Sequence, residues 1–281
     1  MPLSHGGCAD AGGGLRDILR HGGGCQKPAM LASVTSAGEA RLVVSDGADI
    51  VDAKDPRRGA LGALDRAVVA DIVRSVAGRR PVSATVGDHP ATPEALVPAA
   101  RSMAATGVDI VKVGLMETGD GGGTGETGAP RRAITALGEA RATGGLGRAG
   151  LVAVLFADRA PDLGVITELA RAGFVGVMLD TSDKTSGSLT DVCDGAACAA
   201  FVRTARAEGL LAGLAGSLRS VHIRPLMGVF PDILGFRGAL CGPAGRGGPI
   251  ATAAVTAIRG TIDRVAADLA AQRVEAGSAA Q

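Results

Sequence analysis

Eight short, nearly continuous apolar runs recur along this chain from residue 29 onward, and an amphipathic stretch follows each of them. Runs of this length that are rich in Val, Ile and Leu are typical of parallel strands buried on both faces. The predicted strands are 29–34, 49–54, 82–87, 109–115, 151–157, 174–180, 210–216 and 232–237. The predicted helices are 36–46, 61–77, 92–106, 130–142, 161–172, 193–208, 219–229 and 250–272. Eight strands alternating with eight helices predict an α/β fold, a single (β/α)8 TIM barrel over residues 29–273.

Glycines mark the ends of several predicted helices. Just before the next strand, where a helix C-terminal cap is expected, stand Gly47, Gly78, Gly107, Gly173 and Gly209. The positions of these glycines support the predicted alternation of helices and strands.

A doubly wound open sheet is the competing fold, and it would usually have fewer strands and a dinucleotide-binding fingerprint. Residues 123–128 match the pattern GxGxxG, but they lie in a low-complexity run several residues after a predicted strand. The acidic residue expected about 20 positions further on is also missing. We therefore expect residues 119–128 to form a flexible loop over the barrel mouth, either a lid or an inert insertion, and we expect no cofactor.

The two ends of the chain lie outside the predicted barrel. Residues 1–28 are rich in glycine and lack the apolar segment of a secretory signal, so a flexible tail is predicted. Four residues of this tail superficially resemble a set of zinc ligands, namely His5, Cys8, His21 and Cys25. Because Gly-rich flanks preorganise ligands poorly, we expect no metal site there. Residues 274–281 are predicted to be a frayed C-terminus.

Composition excludes several classes of partner. A net charge of +1, the absence of Trp and Tyr, and only five Phe argue against a nucleic-acid surface. No apolar run approaches the roughly 20 residues that a membrane span needs. Five cysteines, with no CxxC pair and no signal peptide, favour a reduced, cytoplasmic protein. We expect a small-molecule substrate as the partner, with homo-oligomerisation left open.

Lysine is rare in this chain, and its positions are informative. Only four of the 29 Lys and Arg residues are lysines, and Lys54, Lys112 and Lys184 lie in or just after predicted strands. A guanidinium is effectively always protonated, whereas a Lys amine can lose its proton, attack a carbonyl and form a Schiff base. Lysines at these positions therefore indicate chemistry that Arg cannot perform.

Carboxylates accompany the lysines at the predicted strand ends. Asp52 and Lys54 are two positions apart and point to the same side of their strand, while Asp180 ends the sixth predicted strand. Barrels of this class build their active sites at the C-terminal ends of the strands. The lysines and these aspartates therefore predict a catalytic cluster, and a structural ion-pair network is the alternative.

Small residues follow the last two predicted strands, where such barrels often bind phosphate through backbone N–H groups. Gly216 and Ser217 follow the seventh strand, and Gly238 follows the eighth. Arg237, which ends the eighth strand, could hold a phosphate with two parallel hydrogen bonds. These four residues predict a phosphate-binding site, and tight turn geometry is the alternative.

Six segments of the chain resemble the (5-formylfuran-3-yl)methyl phosphate synthase family, also called 4-(hydroxymethyl)-2-furancarboxaldehyde-phosphate synthases. They follow in family order and spacing between about residue 29 and residue 260. The segments are GADIVDAKDPRRGALGA (47–63), VSATVGD (82–88), DIVKVGL (109–115), VMLDTSDK (177–184), LAGS (214–217) and LGFRGALC (234–241).

The resemblance implies a (β/α)8 barrel and a lyase of methanofuran biosynthesis. Such an enzyme joins two molecules of glyceraldehyde 3-phosphate into a phosphorylated furan aldehyde, with loss of one phosphate and water. It further implies that Lys54 forms the Schiff base and that Lys112 accepts a proton. Asp52, Asp180 and Lys184 would occupy supporting catalytic positions.

Two other functions fit the same residues. One is another class I, lysine-dependent barrel aldolase acting on phosphorylated sugars. The other is a catalytically silent barrel that serves as a scaffold. An imine trapped by borohydride would exclude the scaffold, and release of one phosphate would exclude the plain aldolase.

Overall fold

The computed structural model describes residues 27–116, 128–183, 187–242 and 245–279. Within them, eight parallel strands form a closed barrel in which each strand pairs with the next and the last pairs with the first. The strands are β1 (Ala29–Val34), β2 (Ile50–Ala53), β3 (Val82–Thr85), β4 (Ile110–Gly114), β5 (Gly150–Phe156), β6 (Gly176–Asp180), β7 (Leu211–Leu214) and β8 (Ile233–Phe236). The predicted (β/α)8 barrel is confirmed.

Helices pack around the barrel in the predicted alternation. They are α1 (Ala37–Ser45), α2 (Arg66–Val76), α3 (Pro93–Ala104), α4 (Ala129–Ala142), α5 (Val165–Arg171), α6 (Leu189–Val192), α7 (Gly195–Ala207), α8 (Ser220–Met227) and α9 (Thr252–Ala279). The five glycines predicted to end helices all have a positive φ, between 70° and 101°. That left-handed conformation is the usual one after a helix C-terminus.

Side chains along the strands alternate between two cores. Outward-facing side chains pack against the helices in one large core. Inward-facing side chains, among them Ile50 and Ile110, form a smaller core inside the barrel. Because residues two apart in a strand share a face, Asp52 and Lys112 also point into the barrel, nearer its C-terminal end. This is the position that the sequence predicts for the site.

A repeated contact holds the opposite end of the barrel together. At three places an Asp just before a strand accepts a hydrogen bond of 2.8–2.9 Å from a backbone N–H of the preceding strand. The contacts are Met30 N to Asp49, Val82 N to Asp109 and Ala212 N to Asp232. Aspartates at this end therefore have a structural role, unlike those at the C-terminal ends of the strands.

One predicted helix begins later than expected. The sequence predicts a helix over 61–77, but α2 begins at Arg66. Leu61 is instead fully buried inside the barrel, where an added Cβ on Gly114 would lie 2.6 Å from Leu61 Cδ1. The prediction was wrong at this end because Leu61 fills the barrel interior rather than one face of a helix.

Two other boundaries also differ. The predicted helix over 193–208 is α7, and the separate short helix α6 precedes it. The Asp194 carboxylate accepts a hydrogen bond of 2.7 Å from Ala197 N, which fixes the start of α7. Helix α9 continues to Ala279, whereas the sequence predicts its end at residue 272. The extra residues include Ala and Glu, which favour helices, and contain no proline.

Some predictions fall on residues outside the described ranges. These are the tail over 1–26 with its His and Cys residues, the Gly-rich loop over 119–127, and Lys184. Among the helices that the structure describes, none is long and apolar enough to cross a membrane.

Candidate active site

Four of the predicted catalytic residues meet inside the C-terminal end of the barrel. Asp52 lies in β2, and Lys54 follows this strand directly. Lys112 lies in the middle of β4, and Asp180 is the last residue of β6. All four are buried, although each carries an ionisable group. Burying so many charges in an apolar barrel is costly unless they pair with one another or serve a function.

The tighter pair joins Asp52 to Lys112. Lys112 Nζ donates to Asp52 Oδ1 over 3.0 Å. Two serines also donate to this carboxylate, Ser83 Oγ to Oδ1 over 2.6 Å and Ser33 Oγ to Oδ2 over 2.9 Å. Both serines lie beside Asp52 in the register of the neighbouring strands. The carboxylate is therefore held from three sides.

These contacts keep Asp52 ionised. Burial opposes the charged form, but the positive charges of Lys112 and Lys54 and the hydrogen bond from Ser83 outweigh it. Together they hold the pKa of the Asp52 carboxyl below its ordinary value. A buried carboxylate with a lowered pKa is better suited to anchor Lys112 than to carry protons to and from a substrate.

The second pair, Lys54 with Asp180, is looser. Lys54 Nζ lies 3.5 Å from Asp180 Oδ2, at the outer limit of a hydrogen bond. Asp180 Oδ1 accepts a hydrogen bond of 2.7 Å from the backbone N–H of Thr181. The Lys54 amine is therefore held in place by a weaker contact than that of Lys112.

A cavity of about 240 Å³ opens onto these four side chains. Its rim is built by the loops after β7 and β8, which bring Gly216, Ser217 and Gly238 to the same space. The cavity therefore joins the predicted catalytic cluster to the predicted phosphate-binding loops.

The loop after β7 has the geometry of an anion site. Gly216 has φ 111° and Ser217 has φ 50°, so two successive residues adopt left-handed conformations that expose backbone N–H groups. In the part of the chain that the structure describes, the backbone N–H groups of Ser217 and Gly238 have no hydrogen-bond partner. A side chain on Gly216 would crowd Thr181, with the added Cβ 3.0 Å from Thr181 Cγ2. Phosphate binding by Gly216, Ser217 and Gly238 stays a prediction with suitable geometry.

Arg237 lines the cavity, but its guanidinium is already engaged. Nη1 donates to Glu39 Oε2 over 2.7 Å and to the Ser33 carbonyl over 3.1 Å. Nη2 donates to Glu39 Oε1 over 3.3 Å and to the Gly248 carbonyl over 2.8 Å. Nε donates to the Arg246 carbonyl over 3.0 Å. These contacts use all five N–H groups of Arg237, so the structure leaves none for the substrate contact that the sequence predicts.

Sequence reasoning did not single out Ser33, Ser83 or Arg246, which complete the cavity and its supports. The two serines are polar residues on the inner faces of apolar strands, and that pattern could have marked them. Arg246 stands alone in a Gly-rich segment after β8, a signal too weak to use without the fold.

Within the described ranges, no cluster of three or more His, Cys, Asp or Glu could hold a metal ion. The site thus offers amines, carboxylates and backbone donors. This donor set suits carbonyl addition and proton transfer.

Comparison with known proteins identifies the family. The family model described as 4-HFC-P synthase matches residues 30–259. A protein of Methylorubrum extorquens, named as a candidate (5-formylfuran-3-yl)methyl phosphate synthase, is 40% identical over 215 residues, covering 76% of this chain and 83% of that protein. The (5-formylfuran-3-yl)methyl phosphate synthase of Methanopyrus kandleri is 35% identical over 218 residues, covering 76% of this chain and 90% of the relative.

A solved structure is similar in fold alone. Phosphoribosyl anthranilate isomerase from Thermotoga maritima superposes with a TM-score of 0.60 at 14% identity, covering 84% of this chain and 98% of that one. The family match and the named synthases agree with the lysine-lined barrel mouth, and the chain belongs to the 4-HFC-P synthase family.

Proposed function

We propose that this protein condenses two molecules of glyceraldehyde 3-phosphate into (5-formylfuran-3-yl)methyl phosphate, with loss of one phosphate and water, through an imine on Lys54. The observation that carries the proposal is the pair of buried lysines, each with its own carboxylate, at the mouth of the barrel. The names of the relatives support the product, and the residues support the lysine chemistry.

The first step assigned to the chain is addition of the Lys54 amine to a triose-phosphate carbonyl. Lys54 faces the cavity, and its contact with Asp180, at 3.5 Å, is longer than the contact between Lys112 and Asp52. Loss of water then gives an iminium that acidifies the neighbouring carbon. Asp180, beside the amine, is placed to take up and return protons while the imine forms.

Lys112 would act in the second step, after its ammonium group has lost a proton to solvent, as the base that removes the acidified proton and leaves an enamine. Once protonated, its ammonium group is stabilised by Asp52, whose carboxylate is held 3.0 Å away by two serines. We therefore assign Asp52 a positioning role and do not use it to carry protons. The enamine attacks the aldehyde of a second triose and forms the new carbon–carbon bond, and the Lys112 ammonium group returns its proton to the alkoxide. One phosphate is then eliminated, hydrolysis of the imine returns the Lys54 amine, and ring closure with loss of two waters gives the furan.

The phosphate groups of the substrates would lie at the loops after β7 and β8, against the N–H groups of Ser217 and Gly238. Two phosphate-bearing substrates need two anion sites, and Lys184 is the proposed cation of the second. The furan product would enter biosynthesis of a methanofuran-like one-carbon cofactor. The proposal needs neither nucleic acid nor membrane, and cytoplasmic location and homo-oligomerisation stay predictions.

Product analysis tests this function and separates it from a plain aldolase. Purified protein is incubated with glyceraldehyde 3-phosphate alone, and inorganic phosphate and ultraviolet absorbance are followed together. The synthase releases one phosphate for every two trioses and accumulates a conjugated furan. Because the chain has no Trp or Tyr, the product is easily seen above the protein. An adduct that retains both phosphates would instead identify an aldolase, and no reaction at all would favour the scaffold.

A further inference from the structure

Arg246 places a guanidinium group at the mouth of the barrel. Its side chain lines the cavity and is half-buried. Among the described residues, its guanidinium has no hydrogen-bond or ion-pair partner within contact distance. A partly desolvated guanidinium with unused donors attracts an anion, above all one that can accept two parallel hydrogen bonds.

The charges that act on Arg246 come from the C-terminal end of β6 and from the residue after β8. Burial lowers the pKa of its guanidinium, the carboxylate of Asp180 opposes this shift, and the charge of Arg237 adds to it. The group remains protonated under ordinary conditions because arginine titrates so high. A bound anion would therefore restore part of the solvation that Arg246 loses and would screen it from Arg237.

Arg237 holds the segment that carries Arg246. Its Nε and Nη2 groups donate to the carbonyls of Arg246 and Gly248, at 3.0 and 2.8 Å. Two of its other donors reach Glu39. Burial opposes the charged form of Glu39, but hydrogen bonds and the charge of Arg237 outweigh it and lower the pKa of this carboxyl. This partly buried ion pair ties the segment after β8 to α1 and fixes the backbone at Arg246.

Arg246 also lies beside the predicted phosphate-binding loops. An added Cβ on Gly238 would be 3.6 Å from Arg246 Cβ, so the two residues are in close proximity. Ser217 and Gly238, whose N–H groups have no acceptor among the described residues, line the same cavity. Backbone donors and the Arg246 guanidinium thus border one space.

We propose that Arg246, and not Arg237, is the guanidinium that binds a substrate phosphate group at the barrel mouth, and that Arg237 is a positioning residue that holds it there. The identity of the phosphate-bearing substrate rests on the proposed function. The binding of a phosphate group at Arg246 does not rest on the proposed function, and it can be measured without turnover.

Calorimetric titration with inorganic phosphate, in the absence of triose, tests the proposal on the purified protein. Arg246→Gln should weaken phosphate binding about 10- to 100-fold, as expected for loss of hydrogen bonds to a charged group. Arg246→Lys should recover only part of the affinity, because an ammonium group is a point charge without the bidentate geometry. Thermal unfolding without phosphate should be nearly unchanged in both variants, since the Arg246 guanidinium has no hydrogen-bond or ion-pair partner among the described residues that would be lost.

Two further arginines serve as controls. Arg148 pairs with Asp109 at the opposite end of the barrel, so Arg148→Gln removes the same charge and should leave phosphate binding unchanged. Arg219 is exposed and also lines the cavity, which makes it the rival cation. If Arg219→Gln weakens binding and Arg246→Gln does not, or if the wild type binds no phosphate, the assignment is wrong.

The positioning role of Arg237 has its own readout. Arg237→Lys should lower both the unfolding temperature and the phosphate affinity of the folded protein, because the segment carrying Arg246 loses its anchor. A purely structural residue would lower the unfolding temperature and leave phosphate affinity unchanged. If the wild-type protein turns over no triose but binds phosphate in an Arg246-dependent way, the proposed function is rejected and this assignment stands.

Discussion

Lys112 Nζ lies 3.0 Å from Asp52 Oδ1 inside the barrel, where the relative exposure of Lys112 is 4% and that of Asp52 is 0%. Lys54, two residues after Asp52, pairs instead with Asp180 at 3.5 Å. The two lysines therefore pair with different carboxylates, and the contact that holds Lys54 is the longer one. This difference supports the proposed roles of Lys54 as the nucleophile and Lys112 as the base.

Replacing Lys112 by Arg tests the assignment of the base. Lys112→Arg keeps the positive charge beside Asp52 but cannot accept a proton, so turnover should fall by about 10²- to 10⁴-fold. Imine formation on Lys54 should survive, because the base acts after the adduct forms. Steady-state rates and borohydride trapping of the same variant measure the two effects. Loss of both the imine and the fold would give Lys112 a structural role instead.

The free energy of unfolding should depend on pH through the Asp52 carboxyl. Its pKa is lowered in the folded state, so its contribution to the free energy of unfolding is complete above the ordinary pKa of about 4. That contribution is lost as the pH falls from about 4 through the lower folded-state pKa. Asp52→Asn should flatten this part of the pH profile in urea unfolding.

At neutral pH the same variant should lose about 3–5 kcal/mol of stability, since it leaves the Lys112 charge buried without a counter-ion. Asp71→Asn is the matched control, because Asp71 is an exposed carboxylate on α2. Equal, small losses in the two variants would contradict the buried ion pair.

Much of this site could be predicted from the sequence, because side chains along a strand alternate between its two faces. Asp52, Lys54 and Lys112 stand out because a charge inside an apolar strand has few structural uses. The pairing of Lys112 with Asp52 was not readable, since it depends on how β2, β3 and β4 align. The role of Arg237 could not be predicted either, because its partner Glu39 lies 198 positions away in the chain.

The position of Leu61 was predicted wrongly, because the sequence pattern of an apolar residue before a helix is the same whether that residue packs outside or inside the barrel.

Close packing of Leu61 against Gly114 gives a prediction on stability. Gly114→Ala would bring a Cβ within 2.6 Å of Leu61 Cδ1 and should lower the free energy of unfolding by about 1–3 kcal/mol. Gly195→Ala is the matched control, because nothing lies within 4 Å of its added Cβ and it opens α7. That control should change stability by less than about 1 kcal/mol. Denaturant unfolding of the two variants is the measurement, and equal effects would mean that Leu61 moves aside freely.

Ser217 tests the location of the phosphate groups. Ser217→Asp places a carboxylate where a phosphate is proposed to bind, so KM should rise at least about tenfold through like-charge repulsion. Ser217→Asn is the control of similar size without the charge, and both Asn and Asp tolerate the left-handed backbone at φ 50°. Steady-state kinetics on both variants separate the effect of the added charge on KM from the effect of the larger side chain. An unchanged KM in Ser217→Asp would place the phosphate elsewhere.

Borohydride reduction in the presence of glyceraldehyde 3-phosphate tests the central claim, the imine on Lys54, most directly. The intact mass of the wild-type protein should increase by one reduced triose-phosphate adduct, and peptide mapping should place it on Lys54. Lys54→Arg should retain the fold, show no adduct and have no measurable turnover, because it keeps the charge and loses the nucleophile. Turnover by the wild type without any trapped adduct, an adduct on Lys112 alone, or near-normal activity in Lys54→Arg would contradict the account.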